Sequence, residues 1–306
     1  MALRLQAGDA VARIAPERGG GVAELRLGGR PVLSAGAGRP ERSPFALGMN
    51  LLLPFSNRIS RPFPYEGRSH QVEPNLDGEP FPIHGDAFQR AWTVAERGPR
   101  SVTLHLPDGR IGPYRYEARV SYRLSETALV TVLSVTSRAG MPLPHGLGFH
   151  PWFPRNPGTR LRFRAGGHWP QDGRHLPSTV APSPLPARWR FEEPAPPPED
   201  WINAAFADWT SEAALDQDGT AVPLRISAPG LSTLIVYSPG AEAPFVCLEP
   251  VSHPVDAHNL PGQPGLVRLV DGDSLSATLT LAWDRASGSG PAGSAPPSSS
   301  RSAASR

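Results

Sequence analysis

Along most of this chain, hydrophobic and polar positions alternate with a period of two. Leu3 and Leu5 open the pattern. Val11 and Ile14, then Val22, Leu25 and Leu27, then Val32 and Leu33 continue it, with Gly-rich turns between. Short alternating runs between glycine turns predict antiparallel strands, because successive side chains on a strand point to opposite faces. The alternation returns from Trp92 to Leu106 and from Tyr114 to Val135. Further strands are expected at Val222–Ile226, Leu231–Tyr237, Phe245–Leu248 and Leu275–Trp283. Residues 36–48 are rich in Gly, Pro and Arg and read as a loop. Residues 154–200 are proline-rich and read as mostly loop, with one strand near Leu161–Arg164 and another near Arg188–Phe191. No long amphipathic helix and no repeat of fixed period stands out. The pattern therefore predicts an all-β fold, a sandwich of large antiparallel sheets. One domain is expected over residues 1–285. Residues 286–306 are nearly all Ser, Gly, Ala, Pro and Arg, too poor in apolar side chains to offset ordering entropy, and are expected to be a disordered tail.

One apolar run ends on a charge. Phe245, Val246, Cys247 and Leu248 read as a buried strand, and Glu249-Pro250 follows at once. Proline cannot donate to a sheet ladder, so the strand is expected to stop or become an edge there. A carboxylate at such a strand end, among apolar neighbours, suits a general base. A Glu that caps the strand and points to solvent fits the same residues. Three more islands have a similar look: Asn57-Arg58-Ile59, His84-Gly85, and His150-Pro151-Trp152-Phe153; Asp256 and Asn259 follow Glu249. Each polar residue sits beside a glycine or proline break, where loops leave a scaffold and sites are commonly built. Taken singly, each also has a structural reading: a turn histidine, a core histidine beside Trp152, a solvated Arg58, turn-forming Asp256 and Asn259.

Composition narrows the partners. The formal net charge is +2, which gives no electrostatic case for nucleic acid. All 30 basic residues are arginine. Cys247 is the only cysteine, so no intramolecular disulfide is possible, and a lone thiol in an apolar run fits a reducing cytoplasm. No window has the apolar content of a signal peptide or a membrane span. The nine histidines show no HExxH and no pair at ligand spacing, and there is no cysteine pair. There is no Gly-x-Ser-x-Gly elbow, P-loop or dinucleotide fingerprint. Neither metal nor cofactor is expected. His70, His105, His168, His175, His253 and His258 are expected on the surface or in loops, and His145 is taken as an inert neighbour of His150.

The islands in this order resemble the aldose 1-epimerase (galactose mutarotase) family. The shared marks are Pro54-Phe55-Ser56-Asn57-Arg58-Ile59, Ile83-His84-Gly85 followed by Trp92, Gly148-Phe149-His150-Pro151-Trp152-Phe153, and Cys247-Leu248-Glu249-Pro250 followed by Asp256-Ala257-His258-Asn259. The resemblance implies a galactose mutarotase-like β-supersandwich with a sugar groove across one sheet. It implies Glu249 as the base that takes the anomeric proton and His150 as the acid at the ring oxygen. It implies His84 and Arg58 as groups that bind and polarise the sugar, with Asn57, Trp152, Asn203 and Asp256 as further contacts. The chemistry fits those residue types: ring opening needs a proton removed and a proton donated across C1–O5, with no metal and no cofactor. Two departures stand out. Asn203, in Ile202-Asn203-Ala204-Ala205-Phe206, takes the place of an aspartate that often grips a hydroxyl in the family, and Asp86 follows Gly85 where galactose-type enzymes have glycine. The expected partner is therefore a small sugar. A hexose 6-phosphate mutarotase would need an arginine cluster, for which Arg58, Arg61 and Arg90 are available. A non-catalytic sugar-binding module would keep the aromatics and lose the acid–base pair.

Overall fold

The computed structural model describes residues 2–36 and 43–284; the tail expected from Ala286 lies outside them. Two large antiparallel sheets form the body, one of ten strands and one of eight. At the centre of the larger sheet lie the strands Met49–Leu52, Gly148–Pro154, Phe245–Val251, Thr233–Ser238 and Ile202–Ala207, side by side in that order. The N-terminal strands Leu3–Ala7, Ala10–Ile14 and Val22–Leu27 extend it beyond Met49–Leu52, and Gly167–Trp169 closes the other edge. The second sheet is built on the long hairpin strands Ser101–Ile111, Tyr114–Leu124 and Ala128–Ser137, with Ser274–Ala282 beside the last.

Period-two alternation divides each central strand between two environments. Phe149 and Phe153, Leu234 and Val236, Val246 and Leu248, and Phe206 point toward the second sheet. There they join Leu104, Val120, Tyr122, Leu133 and Leu279 in one hydrophobic core. The alternate residues form the outer face. Leu52, Ala205, Ile235 and Val251 make one apolar patch on it, and Trp152, Phe245 and Cys247 another. This outer face is the floor of the site.

Three local expectations are corrected. The strand carrying Glu249 does not end at Pro250: it runs from Phe245 to Val251 in the middle of the sheet. Proline is tolerated because the ladder to the neighbouring strand is open between the Gly148/Val251 and Trp152/Cys247 pairs. Pro151 and Pro250, which have no N–H to donate, lie in that opening. His150 likewise lies inside a strand, not in a loop leaving one. Arg188–Phe191 is not a strand; Ala187–Trp189 forms a turn of 3₁₀ helix.

Candidate active site

The sheet register builds the floor. Trp152 lies opposite Cys247, Cys247 opposite Tyr237, and Tyr237 opposite Asn203. One step along the same face, the register that pairs Gly148 with Val251 and Trp152 with Cys247 sets His150 opposite Glu249. His150 Nε2 is 3.4 Å from Glu249 Oε1, with the two side chains 7% and 3% exposed. Trp152 stacks on the His150 ring at 4.6 Å and 11° and fixes its plane. A carboxylate and an imidazole thus stand side by side at the base of a cavity of about 710 Å3. Such a pair can take a proton from one atom of a bound molecule and give one to its neighbour.

The wall above Met49–Leu52 carries His84, Asn57 and Arg58. His84 and Asn57 both have positive φ, 62° and 54°, and clasp each other through the backbone. The Asn57 N–H donates to His84 Nδ1 at 3.0 Å, and the His84 N–H donates to the Asn57 carbonyl at 3.0 Å. A neutral His84 therefore holds its proton on Nε2. Burial, with the neighbouring His150 and Arg58 charges, pushes the His84 pKa well below its ordinary value, so the ring is neutral near pH 7. Gly85 is obligatory for this turn: a Cβ there would come within 1.7 Å of the Leu53 carbonyl oxygen. Asn75 braces the same segment, accepting from the Ile83 N–H at 2.7 Å and donating to the Gly85 carbonyl at 2.7 Å.

Arg58 has a partner that the sequence did not suggest. Its Nε and Nη2 donate to the two carboxylate oxygens of Glu79 at 3.1 and 3.0 Å, the forked geometry arginine favours. Nη1 donates to Asn57 Oδ1 at 3.3 Å. The Arg58 and Glu79 side chains are only 11% and 25% exposed, and both line the cavity. Asn203, Tyr237, Arg174, His175 and the exposed Trp201 line the same cavity.

Most of the expected site residues meet here: Glu249, His150, His84, Arg58, Asn57, Trp152 and Asn203 all line one cavity. Asp256 does not. Its Oδ1 accepts from the Ser60 N–H at 2.9 Å and from Asn259 Nδ2 at 2.8 Å, and its Oδ2 accepts from the Ser60 hydroxyl at 2.6 Å. Asp256 thus ties the loop after Arg58 to the 256–259 turn. Asp86 is also scaffold: its carboxylate accepts from the Tyr116 hydroxyl at 2.5 Å and from the Arg110 N–H at 3.2 Å.

The site lies in a chain whose relatives are known. A family model for aldose 1-epimerase matches residues 1–282. The chain belongs to the aldose 1-epimerase family. It is 32% identical over 238 residues to the Escherichia coli (strain K12) protein named Uncharacterized protein YphB, covering 75% of this chain and 81% of that one. An E. coli K12 crystal structure provisionally named an aldose 1-epimerase superposes with a TM-score of 0.87 at 27% identity, over 94% of this chain and 99% of that one. A galactose mutarotase-like protein from Clostridium acetobutylicum gives 0.80 at 19% identity, over 93% and 95%, a likeness of fold. The expected all-β supersandwich is thus the fold of this family member.

Some of the other histidines in this aldose 1-epimerase family member differ from expectation. His70 is buried within the strand Arg68–His70, 8% exposed, and His253 and His258, in a loop and a 3₁₀ turn, are buried at 1% and 2%. His175 lines the cavity. Glu79, Asn75 and Tyr237 carried no motif. Their roles depend on a loop folding back and on strand register, which one sequence does not display.

Proposed function

We propose that this protein interconverts the α and β anomers of free, unphosphorylated aldoses. Glu249 takes the proton from the anomeric hydroxyl while His150 gives one to the ring oxygen. The C1–O5 bond opens, C1–C2 rotates, and the ring closes on the other face with the proton movements reversed. The observation that carries this reading is the buried His150–Glu249 pair, 3.4 Å apart on the cavity floor. Neutral His84 offers its Nε2–H to a sugar oxygen. Arg58 and Glu79 act as one unit that donates to and accepts from hydroxyls. Each positioned proton transfer is worth about 10²–10⁴-fold, which suffices for a reaction that water already performs slowly.

The charge around the cavity favours a neutral sugar over a phosphorylated one. Arg58 and Arg174 share the lining with Asp77, Glu79 and Glu249, so no cationic surplus awaits a phosphate dianion. The candidate cluster does not assemble: Arg61 reaches Asn259 at 3.4 Å and Arg90 pairs with Asp108 at 3.3 Å and Asp86 at 3.8 Å. A non-catalytic sugar-binding module would have no use for a base and an acid held against each other. The test is polarimetry of α-glucose, α-galactose and glucose 6-phosphate with and without protein. Acceleration of the free sugars is expected, and acceleration of the phosphate alone would refute the substrate assignment.

A further inference from the structure

Cys247 is the one thiol of the chain, and alternation turns it to the same face of its strand as Glu249. A ring nitrogen of His150, the Cys247 sulfur and a carboxylate oxygen of Glu249 all lie within 4.8 Å of one another, and all three residues are buried. We propose that these three side chains bind a thiophilic divalent cation, Zn2+ or its analogue Cd2+, and that the bound ion shuts the site by occupying the carboxylate and imidazole needed for proton transfer. The proposal concerns an inhibitory site, not a resident cofactor. The binding itself stands whether or not the anomerisation reading is right; only the inhibition rests on that reading.

The donor set is one zinc accepts: a thiolate, an imidazole and a carboxylate, with a fourth position left for water. Zn–S of about 2.3 Å and Zn–N or Zn–O of about 2.0–2.2 Å place tetrahedral ligand atoms about 3.5 Å apart. His150 and Glu249 already stand at 3.4 Å. The thiol closes the remaining gap by a side-chain rotation of about an ångström, given that bond geometry. His150 and Glu249 line the cavity, which gives the ion its route in. His84 is not the fourth ligand, because its Nδ1 accepts the Asn57 N–H and its other nitrogen carries a proton. Hard cations such as Mg2+ are rejected, since they require several oxygen donors and the site offers one carboxylate. Binding expels the thiol proton, so affinity rises with pH.

The experiment titrates metal-stripped protein with CdCl2, read by the cadmium–thiolate absorption in the ultraviolet, and with ZnCl2, read by equilibrium dialysis and by polarimetry. One cation per chain is expected, with a thiolate band in the wild type and none in Cys247→Ser or Cys247→Ala. Anomerisation should be lost with Zn2+ and return with EDTA. Cys247→Ser should bind Zn2+ about tenfold more weakly or worse, with its inhibition read against its own metal-free rate; Cys247→Ala stands in if the serine variant does not fold. The cadmium band reads the site even if no sugar is turned over, so failure of the anomerisation reading leaves this test intact. A wild type with no cadmium–thiolate band overturns the proposal. So does a Cys247→Ser protein that is inhibited by Zn2+ at the same concentration as wild type.

Discussion

On the groove floor and wall, His150 and His84 are 5% and 4% exposed; outside the cavity lining, His145, His253 and His258 are 0%, 1% and 2% exposed. Burial alone does not separate the two groups. Their partners do. His253 accepts the Ser56 N–H at Nε2, 3.0 Å away, and its Nδ1 lies 2.8 Å from the Pro254 carbonyl, so both nitrogens are spent on backbone. His258 Nε2 lies 2.9 Å from the Tyr114 hydroxyl, which also reaches the Pro144 carbonyl at 2.8 Å. His145 Nδ1 is 3.0 Å from the Leu143 carbonyl. His84 gives one nitrogen to the backbone and keeps the other for the cavity, and His150 faces a carboxylate. A histidine is available for chemistry here when its ring lines the cavity, as those of His84 and His150 do and those of His145, His253 and His258 do not. The buried histidines outside the lining do the work of amide groups.

The contrast predicts opposite phenotypes. His150→Gln should lower kcat by about 10²-fold or more and leave the melting temperature nearly unchanged. His253→Ala should do the reverse, costing about 2–4 kcal/mol through a lost acceptor and a cavity with kcat within a few-fold of wild type. Anomerisation rates and thermal melts of both variants make the comparison. A His253→Ala protein of normal stability but low kcat would erase the distinction.

Acid should strike the scaffold group. Burial holds His145 and His253 at about 4, against an ordinary 6.5, and pushes His84 and His258 well below it as well. The unfolded chain therefore takes up protons first. The stability contributed by neutral burial is complete above about pH 6.5 and drains away as the pH falls towards 4. With a shift of that size, His145 and His253 each contribute about 3 kcal/mol to the loss. Denaturant melts at pH 7.5, 6, 5 and 4 read it out, and a flat profile down to pH 4.5 would show that these rings are not held neutral.

Asp256 sharpens the comparison on the carboxylate side. Its oxygens serve Ser60 and Asn259, whereas Glu249 faces His150. Asp256→Ala should cost about 1–3 kcal/mol of stability and leave kcat nearly intact, with at most a small rise in KM as Arg58 loosens. An unchanged melting temperature with a large rise in KM would return Asp256 to the sugar. The smallest effect is expected at Asn203. A hydrogen bond to a charged group exceeds a neutral one by roughly 1 kcal/mol, a several-fold effect on affinity. Broad activity on glucose and galactose with high KM is therefore expected. Asn203→Asp should shift the glucose-to-galactose ratio of kcat/KM by that much, and an unchanged ratio would mean Asn203 does not touch the sugar.

The alternation of Val102, Leu104 and Leu106 against Val120, Tyr122 and Leu124 announced the sheets, because a face buried against a second sheet must repeat every two residues. The polar islands were visible because His84, His150 and Glu249 interrupt apolar or glycine-rich runs. Pro250 misled because its cost depends on whether the neighbouring strand needs its N–H, and here the ladder is open. Asp256 follows Glu249 closely in sequence but does not line the cavity, because proximity in sequence says nothing about which way a left-handed residue (φ 54°) aims its carboxylate. Glu79 left no trace, since its pairing with Arg58 arises from a loop closing across 21 residues. Cys247 looked like a core thiol, and it is one; only the strand register brings His150 and Glu249 beside it.

The central claim is that Glu249 takes the anomeric proton while His150 gives one to the ring oxygen. Its most direct test is the polarimetric decay of freshly dissolved α-glucose with wild-type protein and with Glu249→Gln, a replacement of nearly the same shape that cannot accept the proton. Wild type should accelerate the decay, and the variant, equally folded by circular dichroism, should lose about 10²-fold or more of that acceleration. A folded Glu249→Gln protein that turns over α-glucose at close to the wild-type rate would contradict the account.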